Sequence, residues 1–311
     1  MKVLVTGATG FVGRAIAGYL AEQGHAVLAG TRYPGTLAAV PGLTPRALPD
    51  LEGDVDWRPL LADVDAVVHA AGLAHQPAGT DEARMMRVNA EAAGRLAEAA
   101  AAAGIGRFVL ISSIRAMTGP AAPAVLTEAD PARPTDAYGR SKLAGERLVR
   151  GALGAAVVLR PTVVHGAGAK ANMAKLARLA RLPLPLPIGS LAGRRSLVSD
   201  RNLAAAATFA LTDDGARSGL FHVTDGAALT VPAMIAAMRR SLGRGPGTFG
   251  LPAGLDARLV RLALPGLYDQ LGRDLVADDA QLAAAGWRPI ETSAAGLARL
   301  VQAAAGRQTR L

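Results

Sequence analysis

A chain of 311 residues is long enough for one large α/β domain or a domain with an appendage, so burying a core presents no difficulty. Its 34 Lys and Arg against 25 Asp and Glu leave a formal charge of +9, but the lysines are only Lys2, Lys142, Lys170 and Lys175. The arginines lie scattered among alanines rather than in a stripe, which argues against a nucleic-acid partner. The absence of Cys excludes disulfides, thiol nucleophiles and Cys-ligated metals, and the five His show no metal-ligand spacing, so no metal is expected.

In chain order, KVLVT (2–6) predicts a first strand, 11–23 a helix and HAVLAG (25–30) a second strand. A third strand is expected before Asp50. AVVHA (66–70) and RFVLIS (107–112) follow as strands on either side of an Ala-rich helix over roughly 81–103, and AAVVLR (155–160) follows a helix over roughly 136–151. Strands alternating with helices predict an α/β fold built as a doubly wound parallel sheet. No apolar run approaches the roughly 20 residues of a membrane span, and the N-terminus enters a strand without a leader pattern. The expectation is a soluble, cytoplasmic chain with no membrane insertion. After 160 the character changes: Pro161 is followed by the LPLPLPIG segment with Pro183, Pro185 and Pro187, which predicts an edge or extended wall. We therefore expect 1–160 to bind a dinucleotide and 161–311 to form a smaller substrate-binding lobe, partly interleaved with the first.

The first strand runs into TGATGFVG, with Gly7, Gly10 and Gly13 ahead of a helix. Glycines there permit a tight turn and close approach to a pyrophosphate, which the helix N-terminus favours. With 36 Gly in the chain the triplet alone is a modest signal; the preceding strand and following helix make it a Rossmann-type dinucleotide turn. Where NAD sites carry a carboxylate after the second strand, this chain has Thr31 and Arg32. Arginine suits a 2′-phosphate, so NADP(H) is favoured and NAD(H) stays possible; the alternative for Arg32 is a solvated strand-end charge. Asp50, with Leu51 beside it, is a candidate for the adenine edge or an ordinary turn carboxylate.

YGRSK places Tyr138 and Lys142 four residues apart, on one face of the predicted helix. A phenol is a poor base at neutral pH, and a neighbouring ammonium favours its phenolate. The pair is a proton-transfer device for alcohol–ketone interconversion. With four Tyr and four Lys in the chain, it is more specific than the glycines.

The glycine turn followed by YxxxK resembles the short-chain dehydrogenase/reductase superfamily. The HAAG at His69–Gly72, the VN at Asn89 and the LRPTVVHG at 159–166 resemble its extended branch of nucleotide-sugar epimerases, dehydratases and reductases. The resemblance implies that Tyr138 is the acid/base and that Lys142 orients the nicotinamide ribose. It also implies that Thr9, Phe11, Val12, Ala70, Ala71, Gly72, Asn89, Ser112, Pro161 and Val163 lie along the cofactor. The hydroxyl that usually completes the set stands five residues before a glycine; counting back from Gly119 gives Ile114. The run SSIRAMTG is similar to a variant found in 4-keto-sugar reductases, which points to Ser113, with replacement by another donor left open.

Farther along, the resemblance implies that Asn172, Pro187 and Arg195 contact a UDP-sugar, with Arg273 as a second phosphate candidate and His75 in a substrate loop. Each has a plainer alternative: an N-cap, a wall, a surface charge, a solvated loop. His25, His165 and His222 read as structural. The expected function is NAD(P)H-dependent reduction at C4 of a UDP-4-keto-6-deoxy-(acetamido)hexose by a homodimer. The alternatives are a UDP-hexose 4-epimerase with tightly held NAD and, from another class, a non-catalytic dinucleotide sensor, against which an intact YxxxK weighs.

Overall fold

The structure is a computed structural model that describes residues 1–37, 40–74, 81–252, 255–263 and 268–306. Strands β1 (Lys2–Thr6), β2 (Ala26–Thr31), β3 (Leu43–Ala47), β4 (Ala66–His69), β5 (Arg107–Ile111), β6 (Val157–Pro161) and, numbered in chain order, β10 (Gly219–Val223) form one sheet. Its order is β10-β6-β5-β4-β1-β2-β3, and every neighbouring pair is parallel. The predicted doubly wound sheet is thus observed. Because successive side chains on a strand point to opposite faces, Val3 and Val5 enter one core and Leu4 the other.

On the first face Ile16, Ala17 and Leu20 of α1 (Phe11–Glu22) pack with Leu203, Ala207 and Leu211 of α7 (Asp200–Thr212). On the second, Leu96 and Ala97 of the Ala92–Ala102 helix pack with Val149 of α5 (Ala137–Ala152). The helix expected over 81–103 is broken by a wider π-type turn at Arg87–Glu91, which carries Asn89. Such turns are frequent at functional sites.

Beyond β6 the chain forms β7 (Val163–His165), α6 (Ala171–Arg181), β8 (Leu186–Pro187) and β9 (Arg194–Ser199) before α7 returns it to the sheet at β10. The strands β9, β7 and β11 (Ala228–Thr230) make a small sheet, and β8 pairs with β12 (Thr248–Phe249). A third core joins Met173, Leu176, Leu197, Met234, Met238 and Leu300. The proline-rich segment contributes one two-residue strand, with a bend at Pro183–Leu184 before it and a turn from Gly189 after it, because Pro supplies no ladder donor. Among the described residues no helix is long and apolar enough to cross a membrane.

Candidate active site

The strand order reverses between β1 and β4, and open α/β sheets bind ligands in the crevice beyond the carboxyl ends of such strands. Both motifs read for a dinucleotide sit there. Gly7 leaves β1 with φ of +73°, and a Cβ on it would stand 2.8 Å from the backbone of Ala71 after β4. A side chain on Gly13 would fall 2.2 Å from the Gly7 carbonyl oxygen, so α1 starts tightly against the turn. The result is a backbone cradle at a helix N-terminus that fits a pyrophosphate. The Thr6 hydroxyl ties its two sides, bonding His69 Nδ1 at 2.9 Å and accepting from the Ala71 N–H at 3.2 Å. Burial holds His69 neutral, with a pKa of about 3.

A cavity of about 740 Å³ opens beside this cradle, and Phe11, Val12, Ala70, Gly72, Ser112, Ser113, Tyr138, Lys142, Pro161, Val163, Asn172 and Arg195 line it together with Arg115, Asp136, Thr162 and Lys170. The structure thus gathers most of the catalytic and cofactor candidates around one space. Asp136 begins α5 by accepting the Gly139 N–H at 2.7 Å, a side-chain cap that fixes the first turn and hence Tyr138. Burial pushes the Tyr138 phenol above its ordinary range; a hydrogen bond with Ser113 and the charge of Arg115 pull it back, while Asp136 acts the other way. Lys142 donates from Nζ to the Ile111 carbonyl at 2.7 Å, and burial lowers its pKa to about 8 against the opposing charge of Glu146.

A second layer supports these groups. Glu146, one turn after Lys142, pairs with Arg160 of β6 (Nε to Oε1 2.9 Å), both almost wholly buried, and accepts a hydrogen bond from the Ser112 hydroxyl. Asn89 Oδ1 accepts from the Leu73 N–H at 2.7 Å, and its Nδ2 donates to the Leu73 carbonyl at 2.9 Å and to Ser141 Oγ at 3.0 Å. Asn89 therefore joins the segment after β4 to α5 from behind the cavity.

The remaining candidates among the described residues, Arg195 apart, lie outside the cavity lining. Thr31 is buried and bonds the Thr9 hydroxyl across the glycine turn at 3.1 Å, leaving Arg32 exposed over the Tyr33 ring. Asp50 is exposed and accepts the Glu52 N–H at 3.1 Å, while Leu51 is part of the core with Leu48 and Trp57. Arg195 is 2% exposed and donates to the carbonyls of Arg273 (2.8 Å) and Pro120 (2.7 Å), so burial lowers its pKa to about 10. Arg273 brings its backbone to that wall; its own guanidinium is exposed, 3.7 Å from Asp269. Pro187 is exposed on β8, outside the cavity lining. His75 lies outside the described residues. His165 is buried against Asp225 at 2.8 Å and His222 is buried in β10. Sequence reasoning missed Arg115, Asp136, Lys170 and the Glu146–Arg160 pair; the one signal for them was the capping Asp two residues before Tyr138.

The model of the NAD dependent epimerase/dehydratase family matches residues 3–223. The chain is 30% identical to a UDP-glucose 4-epimerase of Vibrio cholerae over 97% of this chain and 95% of that protein. It is 34% identical to a dTDP-4-dehydrorhamnose reductase of Burkholderia thailandensis over 72% of each. Among solved structures, MoeE5 in complex with UDP-glucuronic acid and NAD superposes with a TM-score of 0.77 at 26% identity, covering 99% of this chain and 100% of that one. With the family match spanning most of the chain and the cradle and Tyr138–Lys142 helix in place, the chain belongs to the NAD dependent epimerase/dehydratase family, the extended type of short-chain dehydrogenase/reductase enzymes.

Proposed function

We propose that this enzyme transfers hydride at C4 of a UDP-linked hexose. The observation that carries the reading is the convergence of Tyr138, Ser113 and Lys142 on one cavity, beside a backbone cradle for a dinucleotide. A nicotinamide bound there supplies or takes the hydride. Tyr138 gives or receives the hydroxyl proton, Ser113 holds the sugar oxygen, and Lys142 releases the Ile111 carbonyl to bind the nicotinamide ribose. On the far wall Asn172 faces the diphosphate side beside Arg195, whose guanidinium would have to leave the Arg273 and Pro120 carbonyls to reach it. In this reading 161–311 is the substrate-binding lobe and 1–160 the dinucleotide-binding part. The partner is a second copy seated on the outer helices, where Leu148 of α5 is 45% exposed.

Within that reaction we favour NAD(P)H-dependent reduction of a UDP-4-keto-6-deoxy-(acetamido)hexose in the cytoplasm, as a step of polysaccharide biosynthesis. Exposed Arg32, with Thr31 where a carboxylate would bind a ribose hydroxyl, supports NADP(H). The second reading, a UDP-hexose 4-epimerase, is supported by the near full-length similarity to the Vibrio cholerae enzyme. Denaturing the purified protein and identifying released nicotinamide separates the two. Stoichiometric NAD carried through purification selects the epimerase. An empty protein that binds NADPH at least as well as NADH, and oxidises it with a UDP-4-keto sugar, selects the reductase. Failure of every UDP-sugar to support turnover or epimerisation overturns both.

A further inference from the structure

Ile114 occupies the place of the missing hydroxyl, and its side chain is 2% exposed in an apolar cluster with Met117, Ala122 and Leu275. It supplies no donor. The next residue does. Arg115 lines the cavity with Ser113 and Tyr138, and its own N–H is fixed by the Ser113 hydroxyl at 3.2 Å. Its guanidinium is ion-paired with Asp136, the carboxylate that also caps the helix of Tyr138. Its Nε is buried without a hydrogen-bond partner. One side chain is thus tied to Ser113 through its backbone and to the start of the Tyr138 helix through its head group.

We propose that Arg115, held by Asp136, is a catalytic residue: beside Ser113 it donates to the substrate oxygen on which charge develops, a second donor where position 114 supplies none. This rests on the oxidoreductase reading above. As hydride reaches the carbonyl carbon, the C=O π pair moves onto oxygen, and the O–H bond forms with the proton that leaves Tyr138. Arg115 stabilises the oxygen before the proton arrives. A guanidinium is suited to this because its planar fork of N–H donors is delocalised and weakly hydrated. The charged groups facing Tyr138 are Asp136 at the helix start, Lys142 on the same helix, Arg115 from the turn after β5, Arg195 from β9 and Lys170 at the start of α6. Lys142 is bonded to Ile111 and Arg195 to two carbonyls, whereas Arg115 is anchored by Asp136 at the start of the Tyr138 helix on the cavity wall.

The test uses the full chain and its Arg115→Met, Arg115→Lys and Asp136→Asn variants; Asn preserves the helix cap. The first readout needs no substrate: tyrosinate absorbance is titrated from about pH 8 to about pH 11.5, with Tyr138 isolated by difference from Tyr138→Phe counterparts. The Tyr138 midpoint moves up in Arg115→Met, moves down in Asp136→Asn and stays near the parent in Arg115→Lys. The second readout is turnover: Arg115→Met loses about 10²–10³-fold in kcat with NADPH affinity unchanged, and Arg115→Lys recovers part of it. An Arg115→Met midpoint that coincides with the parent, or a kcat within about twofold of it, overturns the proposal. A parent that turns over no UDP-sugar defeats the functional reading, while the titration still decides whether Arg115 acts on Tyr138.

Discussion

The two ends of the dinucleotide crevice are built differently. At the Tyr138 end, Ser112, Glu146 and Arg160 form a buried, mutually bonded set between β5, α5 and β6, Lys142 is tied to the Ile111 carbonyl, and Tyr138 bonds Ser113. At the β2 end, Arg32 and Asp50 are exposed and, among the described residues, contact only near neighbours in sequence, while the Thr9–Thr31 hydroxyl contact and the Ala8 N–H to Gly30 carbonyl bond join the glycine turn to β2. Reaction chemistry needs groups held in place before substrate arrives, since positioning supplies much of the rate. Discrimination between cofactors needs only a charge that can reach a phosphate. One end is therefore held by buried contacts, while the other depends on a few exposed side chains.

The largest expected effect breaks the rigid end at its chemistry. Tyr138→Phe removes the proton donor but keeps the ring, so turnover falls about 10²–10⁴-fold while NADPH titration of intrinsic fluorescence is unchanged. Parallel loss of cofactor binding would instead make Tyr138 part of the cradle. The next strikes its support. Glu146→Gln leaves Arg160 buried and uncompensated, and breaking such pairs costs about 3–5 kcal/mol. A urea midpoint within error of the parent would mean that the pair does not brace this end.

Which parts of this contrast could be read in advance follows from where each interaction lies along the chain. Tyr138 and Lys142 are one helical turn apart, so their shared face is written in the spacing. Arg115 and Asp136 are 21 residues apart on different elements, and Glu146 meets Arg160 across 14, so no periodicity links them. The five apolar strands β1, β2, β4, β5 and β6 were legible because both their faces are buried. β3 reads LTPRA, is mostly exposed and carries Pro45, as an edge strand can, so it had only the expectation of a strand before Asp50. β10 joins the sheet 58 residues after β6 ends and its pairing is purely tertiary. Likewise Arg195, read as reaching phosphate, spends two donors on backbone carbonyls that only the folded lobe brings near.

A smaller effect comes from acid. Buried His69 and His222 have pKa values near 3 and 4 against an ordinary 6.5, so the unfolded chain binds more protons than the native one between those limits. Stability therefore rises with pH across that window and is lost on acidification, by roughly 1.4 kcal/mol per pH unit for each histidine charged only when unfolded. Chemical denaturation at about pH 7.5 and about pH 5 checks the sign. His69 joins β4 to the glycine turn, so the cradle and the fold weaken together. Equal stability at both values would remove the two histidines from the account.

The smallest effect tests the loose end. Arg32→Ala removes an exposed side chain that, among the described residues, contacts only the Tyr33 ring, so the fold and its denaturation midpoint stay as they are. If Arg32 swings to a 2′-phosphate, NADPH affinity drops about tenfold, roughly 1.4 kcal/mol, while NADH affinity is unchanged. Arg32→Asp then carries the contrast further, because a carboxylate repels the phosphate and accepts from the ribose hydroxyls that NADH presents. If both cofactors bind the Ala variant as they bind the parent, Arg32 is a solvated charge at the end of β2. The selectivity would then belong to the glycine turn itself, which the Thr9–Thr31 contact and the Ala8 N–H to Gly30 carbonyl bond tie to β2.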